Sequence, residues 1–246
     1  MPNDARIAAA AGGHRLSVAA RDLASGATVE FRPGRRYLAA SVAKVAIATV
    51  LLVRAQAEGR ALTGEELSMA GEMIRVSDND AAHALWRRTG RDAAMADVLR
   101  AFGLRETRTT ARSWGLTRTS AADQARLVAA LAGDTSTADA TVLDAGRRAY
   151  VLRLMAEVAA DQRWGIGAAA RPGERLALKN GWLDYSGDDG RWTVNTVGRL
   201  TGDGHDLVIA VLSNDHATLR DGIAAVEAAA VAAARTLRGG PGCGAE

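Results

Sequence analysis

The sequence predicts a mixed α/β fold of the α+β type, with one antiparallel sheet built from both termini and an all-helical region inserted between them. Strand-like segments occur near both ends of the chain, at about residues 15–40 and 172–237, and helical periodicity dominates about 41–171. Strands at both ends and helices between them favour a single sheet completed by both termini. We therefore expect one domain over residues 1–237, followed by a flexible tail at 238–246.

The individual elements follow from local patterns. Residues 16–20 and 28–31 flank a turn at Ser25-Gly26 and predict a hairpin. Residues 41–57 are apolar almost all round, which is typical of a central helix. Gly, Asp and Ser/Thr breaks delimit the remaining elements. They predict helices over 65–76, 80–89, 92–102, 119–132, 141–160 and 219–237, strands over 175–179, 192–200 and 207–213, and turns at 187–190 and 202–204.

Composition narrows the class of protein. Of the 246 residues, 48% are hydrophobic and 24% charged, as in an ordinary globular enzyme. The net charge is +3, but the arginines are scattered, which favours a solvated surface over a nucleic-acid interface. The single cysteine, Cys243, excludes an internal disulfide and suggests no metal cluster. No apolar run approaches the roughly 20 residues that span a bilayer.

The N-terminus bears on location. It lacks the apolar core of about 7–15 residues that a signal peptide requires, because the apolar run at 7–11 is too short and ends in Gly-Gly. We expect a cytoplasmic protein as the sequence stands, and an extracellular or periplasmic one if an export signal has been removed.

The two lysines of the chain, Lys44 and Lys179, both fall in motifs that suggest catalysis. Ser41 and Lys44 are three residues apart at the start of the apolar helix, so they share one helix face. A serine hydroxyl becomes a nucleophile when a neighbouring base takes its proton, and a desolvated lysine can be that base. The pair therefore suggests a nucleophile and its base.

Two further motifs follow along the chain. Ser77-Asp78-Asn79 lies between two predicted helices, and Lys179-Asn180-Gly181 ends a predicted strand. Alone, the first motif is typical of a helix-capping loop and the second of a turn. In this order after Ser-x-x-Lys, they resemble the signature of penicillin-binding proteins and class A β-lactamases. The resemblance covers about residues 15–237 and implies that family's β-lactamase/transpeptidase-like fold.

The resemblance implies a catalytic role for four residues. Ser41 would attack an activated amide carbonyl and form an acyl-enzyme. Lys44 would accept the Ser41 proton, its pKa lowered by burial and by Lys179. Ser77 would relay a proton to the departing nitrogen.

It also implies a set of substrate-binding residues. Asn79 would hydrogen-bond both Lys44 and an amide of the substrate. The backbone N–H of Trp182 would complete an oxyanion hole with that of Ser41, and Gly181 would let the substrate approach the strand closely. Asn180 replaces the usual Thr or Ser that helps to hold the substrate carboxylate. Arg191 fits either a carboxylate-binding arginine or a surface arginine.

The sequence departs from class A β-lactamases in one segment. These enzymes use a Glu-x-x-x-Asn motif to release the acyl group. In residues 104–119 the only glutamate is Glu106, and no asparagine follows it at that spacing. The segment is more similar to D-alanyl-D-alanine carboxypeptidases, with Trp114 either in the core or lining the cleft. His83, four residues after Asn79, is more typical of a helix surface than of a catalyst.

These observations predict a serine hydrolase that acts through acyl-Ser41 on a β-lactam or a related small-molecule or peptide amide. The resemblance implies no cofactor and no metal, and the oligomeric state stays open. The alternatives are a D-Ala-D-Ala carboxypeptidase or transpeptidase, a cytosolic acyl hydrolase or transferase, and a penicillin sensor that is acylated once without turnover.

Overall fold

The structure is a computed structural model that describes residues 3–134, 136, 142–184 and 191–239. Within this part of the chain the strands are β1 (Arg15–Asp22), β2 (Thr28–Phe31), β3 (Arg36–Leu38), β4 (Arg118–Ser120), β5 (Arg175–Asp184), β6 (Trp192–Gly202) and β7 (His205–His216). The α-helices there are α1 (Asn3–Ala10), α2 (Ala43–Ala57), α3 (Gly64–Arg75), α4 (Asn79–Arg88), α5 (Arg91–Ala101), α6 (Ala121–Leu131), α7 (Ala145–Ala156) and α8 (Leu219–Arg238).

One five-stranded antiparallel sheet has the order β2-β1-β7-β6-β5. Its strands come from both ends of the chain, and α2 to α7 lie between them in sequence. The predicted fold class is therefore confirmed. Strand β5 lies at the edge of the sheet, so one side of its backbone is available to other groups.

The sheet is buried on both faces. Along β1, Val18 belongs to the apolar cluster that contains α8 residues such as Val226. Its neighbour Ala19 belongs to the cluster that contains most of α2. This alternation is what a pleated strand requires when helices cover both faces. Eleven of the fifteen residues of α2 are buried, which confirms its prediction as the central helix.

The predicted elements agree with the observed ones with a few informative differences. The hairpin and the helices lie within a few residues of their predicted bounds, and residue 141, where one helix was expected to begin, is outside the described residues. Strand β5 continues to Asp184 through Asn180-Gly181, a dipeptide typical of a turn. The small β3-β4 sheet was not predicted. Neither was α1, whose Ile7 is fully buried, because tertiary packing stabilises such a short helix.

Three other predicted features can be placed. The turn at 202–204 joins β6 to β7. The predicted turn at 187–190 lies outside the described residues. The tail was predicted to begin at residue 238, but Arg238 is the last residue of α8 and its side chain forms an ion pair with Glu174. Residues 240–246 lie outside the described part of the chain. The segment Ala40–Ala57 has the length and hydropathy of a membrane span, but 72% of it is buried inside the fold. A largely buried apolar helix is typical of a protein core.

Asn195 ties the central sheet to the segment that precedes Ser41. Its side chain is fully buried on β6. The Nδ2 group donates hydrogen bonds to the carbonyls of Leu38, at 2.9 Å, and Ala39, at 3.1 Å. Its Oδ1 accepts a hydrogen bond from the backbone N–H of Ser213 at 3.1 Å. One amide side chain therefore satisfies three buried backbone groups and fixes the chain just before the candidate nucleophile.

We expect Asn195→Ala to lower the free energy of unfolding by about 3 kcal/mol, because it leaves buried backbone groups without partners. Urea denaturation would measure the change. Asn214→Ala on the neighbouring strand is the control, since the Asn214 Oδ1 has no hydrogen-bond partner. Equal stability of the Asn195→Ala protein and the parent would contradict this account.

Candidate active site

Ser41 lies in a 3₁₀ turn, Ala40–Val42, which leads directly into α2. The residue before it, Ala40, has a left-handed backbone with φ of +47°. An alanine in this region is strained, and such strain persists only where surrounding contacts enforce it. Ser41 is partly exposed, and its backbone N–H lies at the start of α2, where the helix dipole favours negative charge.

Strand β5 approaches the Ser41 turn so closely that only glycine fits at position 181. A Cβ at this position would lie 2.8 Å from the backbone nitrogens of both Ser41 and Val42, and 3.0 Å from the Ala39 carbonyl oxygen. The sequence suggested that Gly181 admits the substrate. The structure shows that it admits the Ser41 turn itself, which brings the end of β5 beside Ser41.

Lys44 is fully buried in the first turn of α2. Its Nζ donates to the Ser77 carbonyl at 2.5 Å, to the Ser77 Oγ at 3.1 Å and to the Asn79 Oδ1 at 2.8 Å. These contacts use all three ammonium hydrogens. Within the described residues no hydrogen bond joins it to the Ser41 Oγ, so the amine is committed to the Ser77-Asp78-Asn79 loop rather than to Ser41.

Ser77 brings the two lysines of the chain together. Its Oγ accepts hydrogen bonds from Lys44 Nζ at 3.1 Å and from Lys179 Nζ at 2.9 Å. Lys179 also donates to the carbonyl of Asn180 at 2.9 Å. Ser77 has a left-handed backbone with φ of +61°, a second strained position at this site. With its lone pairs occupied by two amines, the Ser77 hydroxyl hydrogen is free to point elsewhere.

Burial lowers the pKa of both lysines. The pKa of Lys44 falls to about 8 because burial disfavours the ammonium, although the nearby Asp78 carboxylate opposes the shift. The pKa of Lys179 falls to about 7 because of its burial and because of the positive charge of Lys44. A neutral amine is therefore accessible to this site near physiological pH. Burial lowers the pKa of Lys44 as predicted, but the expected effect of Lys179 on Lys44 is not found, because the repulsion lowers the pKa of Lys179 instead.

A cavity of about 370 Å³ opens in front of Ser41. Four of the predicted site residues line it, namely Ser41, Ser77, Asn79 and Trp182. The other lining residues are Ala40, Asp80, His83, Ser113, Trp114, Gly115, Leu116 and Leu183. Lys44 and Lys179 are fully buried behind Ser77, where they act on the cavity through its hydroxyl.

The side chain of Asn180 is not placed to hold a substrate. Residues alternate along β5, so Asn180 points to the face opposite Lys179. It is fully buried, and its Nδ2 donates to the carbonyls of Gln162, at 2.8 Å, and Trp164, at 3.0 Å. The expected contact with a substrate carboxylate is therefore not available, because both amide hydrogens anchor a neighbouring loop.

Arg191 also lies away from the cavity. Its side chain is 46% exposed, forms an ion pair with the Asp215 carboxylate and donates to the Asp215 carbonyl at 2.8 Å. The alternative of a carboxylate-binding arginine is not supported, because the end of β7 supplies the partner of Arg191. The structure supports its interpretation as a surface arginine.

Several residues at the cavity were not identified from the sequence as part of a site. His83 and Asp80 line the cavity from the first turns of α4. Trp114, which the sequence placed either in the core or at the cleft, lines the cavity as well, and the Lys44 Nζ lies 4.9 Å from the centre of its ring, a cation–π contact. The signal was available for the helix, since Asp80 and His83 follow Asn79 by one and four residues. This spacing alone could not show whether that face of α4 lines a cavity or faces solvent.

Glu106 does not lie at the cavity. Its carboxylate forms an ion pair with Arg36 at 2.7 Å, and both side chains are about two-fifths exposed. The carboxylate that does line the cavity belongs to Asp80.

Comparison with known proteins identifies the family. A sequence profile described as the beta-lactamase enzyme family matches residues 63–237. A relative named "Putative lipoprotein LppW", from Mycobacterium tuberculosis (strain ATCC 25618 / H37Rv), is 34% identical over an alignment of 185 residues that covers 71% of this chain and 56% of that protein. The chain therefore spans little more than half the length of the curated relatives it matches. Because the profile matches well over half of the chain, the protein belongs to the beta-lactamase enzyme family.

Solved structures establish the same fold. The beta-lactamase from Sphaerobacter thermophilus has a TM-score of 0.79 and 21% identity, with 96% of this chain and 98% of that chain covered. PBP-A has a TM-score of 0.81 and 18% identity, with 96% of each chain covered. The beta lactamase from Burkholderia vietnamiensis has a TM-score of 0.80 and 23% identity, with 99% and 98% covered.

We expect Gly181→Ala to destabilise the protein by about 1–3 kcal/mol, because the new methyl group would press on the backbone of the Ser41 turn. Thermal unfolding would measure the loss. Gly34→Ala is the matched control, since a Cβ at Gly34 meets nothing within 4 Å. An unchanged melting temperature for Gly181→Ala would show that β5 can move away from the turn.

Proposed function

We propose that this protein is a serine acyl hydrolase that acts through an acyl-enzyme on Ser41. The observation that carries the proposal is the convergence of two buried lysines of lowered pKa on one serine hydroxyl, at the edge of a cavity that Ser41 lines. Burying two cations side by side costs stability, and such an arrangement is typical of a site that needs a neutral amine.

In the proposed acylation, Lys44 is the base. The ammonium form of Lys44 uses its three hydrogens on Ser77 and Asn79. When it loses one proton, one of these contacts is released and the nitrogen lone pair becomes available. The lone pair accepts the proton of Ser41 as its Oγ attacks the carbonyl carbon of the substrate.

The remaining groups act on the tetrahedral intermediate. Backbone N–H groups of Ser41 and Trp182 stabilise the oxyanion, a role that the close approach of β5 to the Ser41 turn supports. Ser77 delivers a proton to the leaving nitrogen and is replenished by the lysines bonded to its Oγ. Asn79 orients both Lys44 and an amide of the substrate.

The substrate we propose is a β-lactam or a related amide such as a D-Ala-D-Ala peptide. Family membership supports this class of substrate. Apolar walls from Trp114, Trp182, Leu116 and Leu183 suit an acyl group with an uncharged side chain. The name of the mycobacterial relatives, a lipoprotein, supports a location outside the cytoplasm and hence a cell-wall peptide.

Acylation predicts a covalent adduct on Ser41. On incubation with a fluorescent penicillin or nitrocefin, we expect intact-mass spectrometry to show the adduct and peptide mapping to place it on Ser41. Ser41→Ala should abolish the adduct, whereas Ser68→Ala, at an exposed serine of α3, should keep it. A long-lived adduct indicates a sensor, rapid turnover a β-lactamase and slow turnover a peptidase-like enzyme. An adduct that persists in Ser41→Ala would contradict the proposal.

The pKa of Lys44 predicts the pH dependence of acylation. Only the neutral amine accepts a proton, so the acylation rate should rise with pH and reach half its maximum near pH 8. Asp78→Asn removes the carboxylate that raises this pKa, so the midpoint should move to lower pH. Asparagine preserves the cap that Asp78 provides to α4.

Stopped-flow acylation rates between pH 6 and 10 would test this expectation. Asp97→Asn, at an exposed position of α5, should leave the midpoint in place. A midpoint that moves to higher pH in Asp78→Asn would exclude Lys44 as the titrating base.

A further inference from the structure

An acyl-serine must be released by water, and the groups that promote acylation are poorly placed for that step. Lys44 and Lys179 are fully buried behind Ser77 and bonded to the protein. Glu106 is held on the surface by Arg36. A base for water must lie in the cavity itself, within one water molecule of the acyl carbon.

Two ionisable side chains line the cavity together with Ser41, and both come from α4. They are Asp80 and His83, which share one helix face because they are three residues apart. Asn79, the first residue of α4, is bonded to Lys44, so this end of the helix is fixed against the site. His83 follows Asn79 by four residues and therefore lies one turn further along the same face.

The imidazole of His83 is held by a contact with an aromatic ring, and its nitrogens are not engaged in hydrogen bonds within the described residues. Its ring lies edge-on to the ring of Trp86 with centroids 5.8 Å apart, and Trp86 is anchored in the core with 3% exposure. Within the described residues no hydrogen bond involves either ring nitrogen of His83. The other histidines make contacts elsewhere, since His14 packs against His216 and His205 is hydrogen-bonded to Asp22.

We propose that His83 is the general base that frees Ser41, an inference that rests on the proposed acyl-Ser41 chemistry. A water molecule in the cavity gives a proton to the unprotonated ring nitrogen of His83 while its oxygen bonds to the acyl carbon. The tetrahedral intermediate then breaks the bond between the acyl carbon and the Ser41 Oγ. The electron pair of that bond goes to Oγ, which takes the proton back from the imidazolium.

The products are a free carboxylic acid and free Ser41, so the protons and electrons balance without a further reactant. Asp80 is a positioning residue in this scheme. Its carboxylate, one turn before His83 on the same helix face, stabilises the positive charge of the imidazolium while it forms.

The test separates acylation from release. Wild-type protein, His83→Gln and Asp80→Asn are acylated with a fluorescent penicillin or with p-nitrophenyl acetate, excess reagent is removed, and loss of the adduct is followed by intact mass. We expect acylation rates within about twofold of wild type. Release should slow about 100-fold in His83→Gln and less in Asp80→Asn, in the range that general-base catalysis contributes.

Hydroxylamine separates a catalytic from a structural role. It is nucleophilic without a general base, so it should remove the acyl group from His83→Gln and wild type at equal rates. His14→Gln, an exposed histidine outside the cavity, should match wild type in every step. Release that is equal in wild type and His83→Gln overturns the inference, as does a His83→Gln protein that is slowed in acylation or toward hydroxylamine. Absence in wild type, with both reagents, of any Ser41 adduct and of any hydrolysis that Ser41→Ala abolishes would instead contradict the proposed function.

Discussion

The approach of β5 to the Ser41 turn is the contact on which the rest of the site depends. Side chains attached to different parts of the chain act together only if their backbones meet within a few ångströms, and here the distance admits glycine alone. Asn195 holds the other side of the junction by bonding the carbonyls just before Ala40. Because both β5 and β6 belong to one sheet, two neighbouring strands of that sheet fix the position of Ser41.

The lysine pair sets a second constraint, which is electrostatic. A lone buried ammonium is costly, and two that share one hydroxyl repel each other. The site reduces this cost through direct hydrogen bonds to Ser77 and Asn79 and through the lowered pKa of both amines. Burial and the proximity of the two positive charges destabilise the ammonium forms. For the same reason, a neutral amine that can accept a proton is present near neutral pH. The left-handed backbone of Ser77 shows that the loop is held in a strained form to present its hydroxyl to both amines.

The sequence was informative wherever local pattern decides the outcome, and less so wherever tertiary packing does. The hairpin and the central helix follow from periodicity and turn residues, so the fold class could be predicted. The grouping of Ser77 and Lys179 with Ser41 and Lys44 came from the resemblance of three ordered motifs to a known family, because no local pattern brings them together. Asn180 could not be oriented, because the strand was expected to stop at Lys179 and the alternation beyond it was hidden by a turn-like Asn-Gly pair. The partner of Arg191 is Asp215, 24 residues along the chain, which no local pattern reports.

In the proposed cycle, the base for acylation lies on α2 and the base for release of the acyl group lies on α4. This separation has a physical reason. A base for the serine must be desolvated to be neutral near pH 7, whereas a base for water must be reached by water. Lys44 satisfies the first condition because α2 buries it completely, and the same burial excludes it from the second. Helix α4 begins at Asn79 inside the site and leads outward, so a side chain four residues on can reach both the cavity and solvent. His83 occupies that position. In this protein, residues 104–119 supply no acidic side chain to the cavity. Turnover therefore requires a base from another element, and α4 provides one at His83.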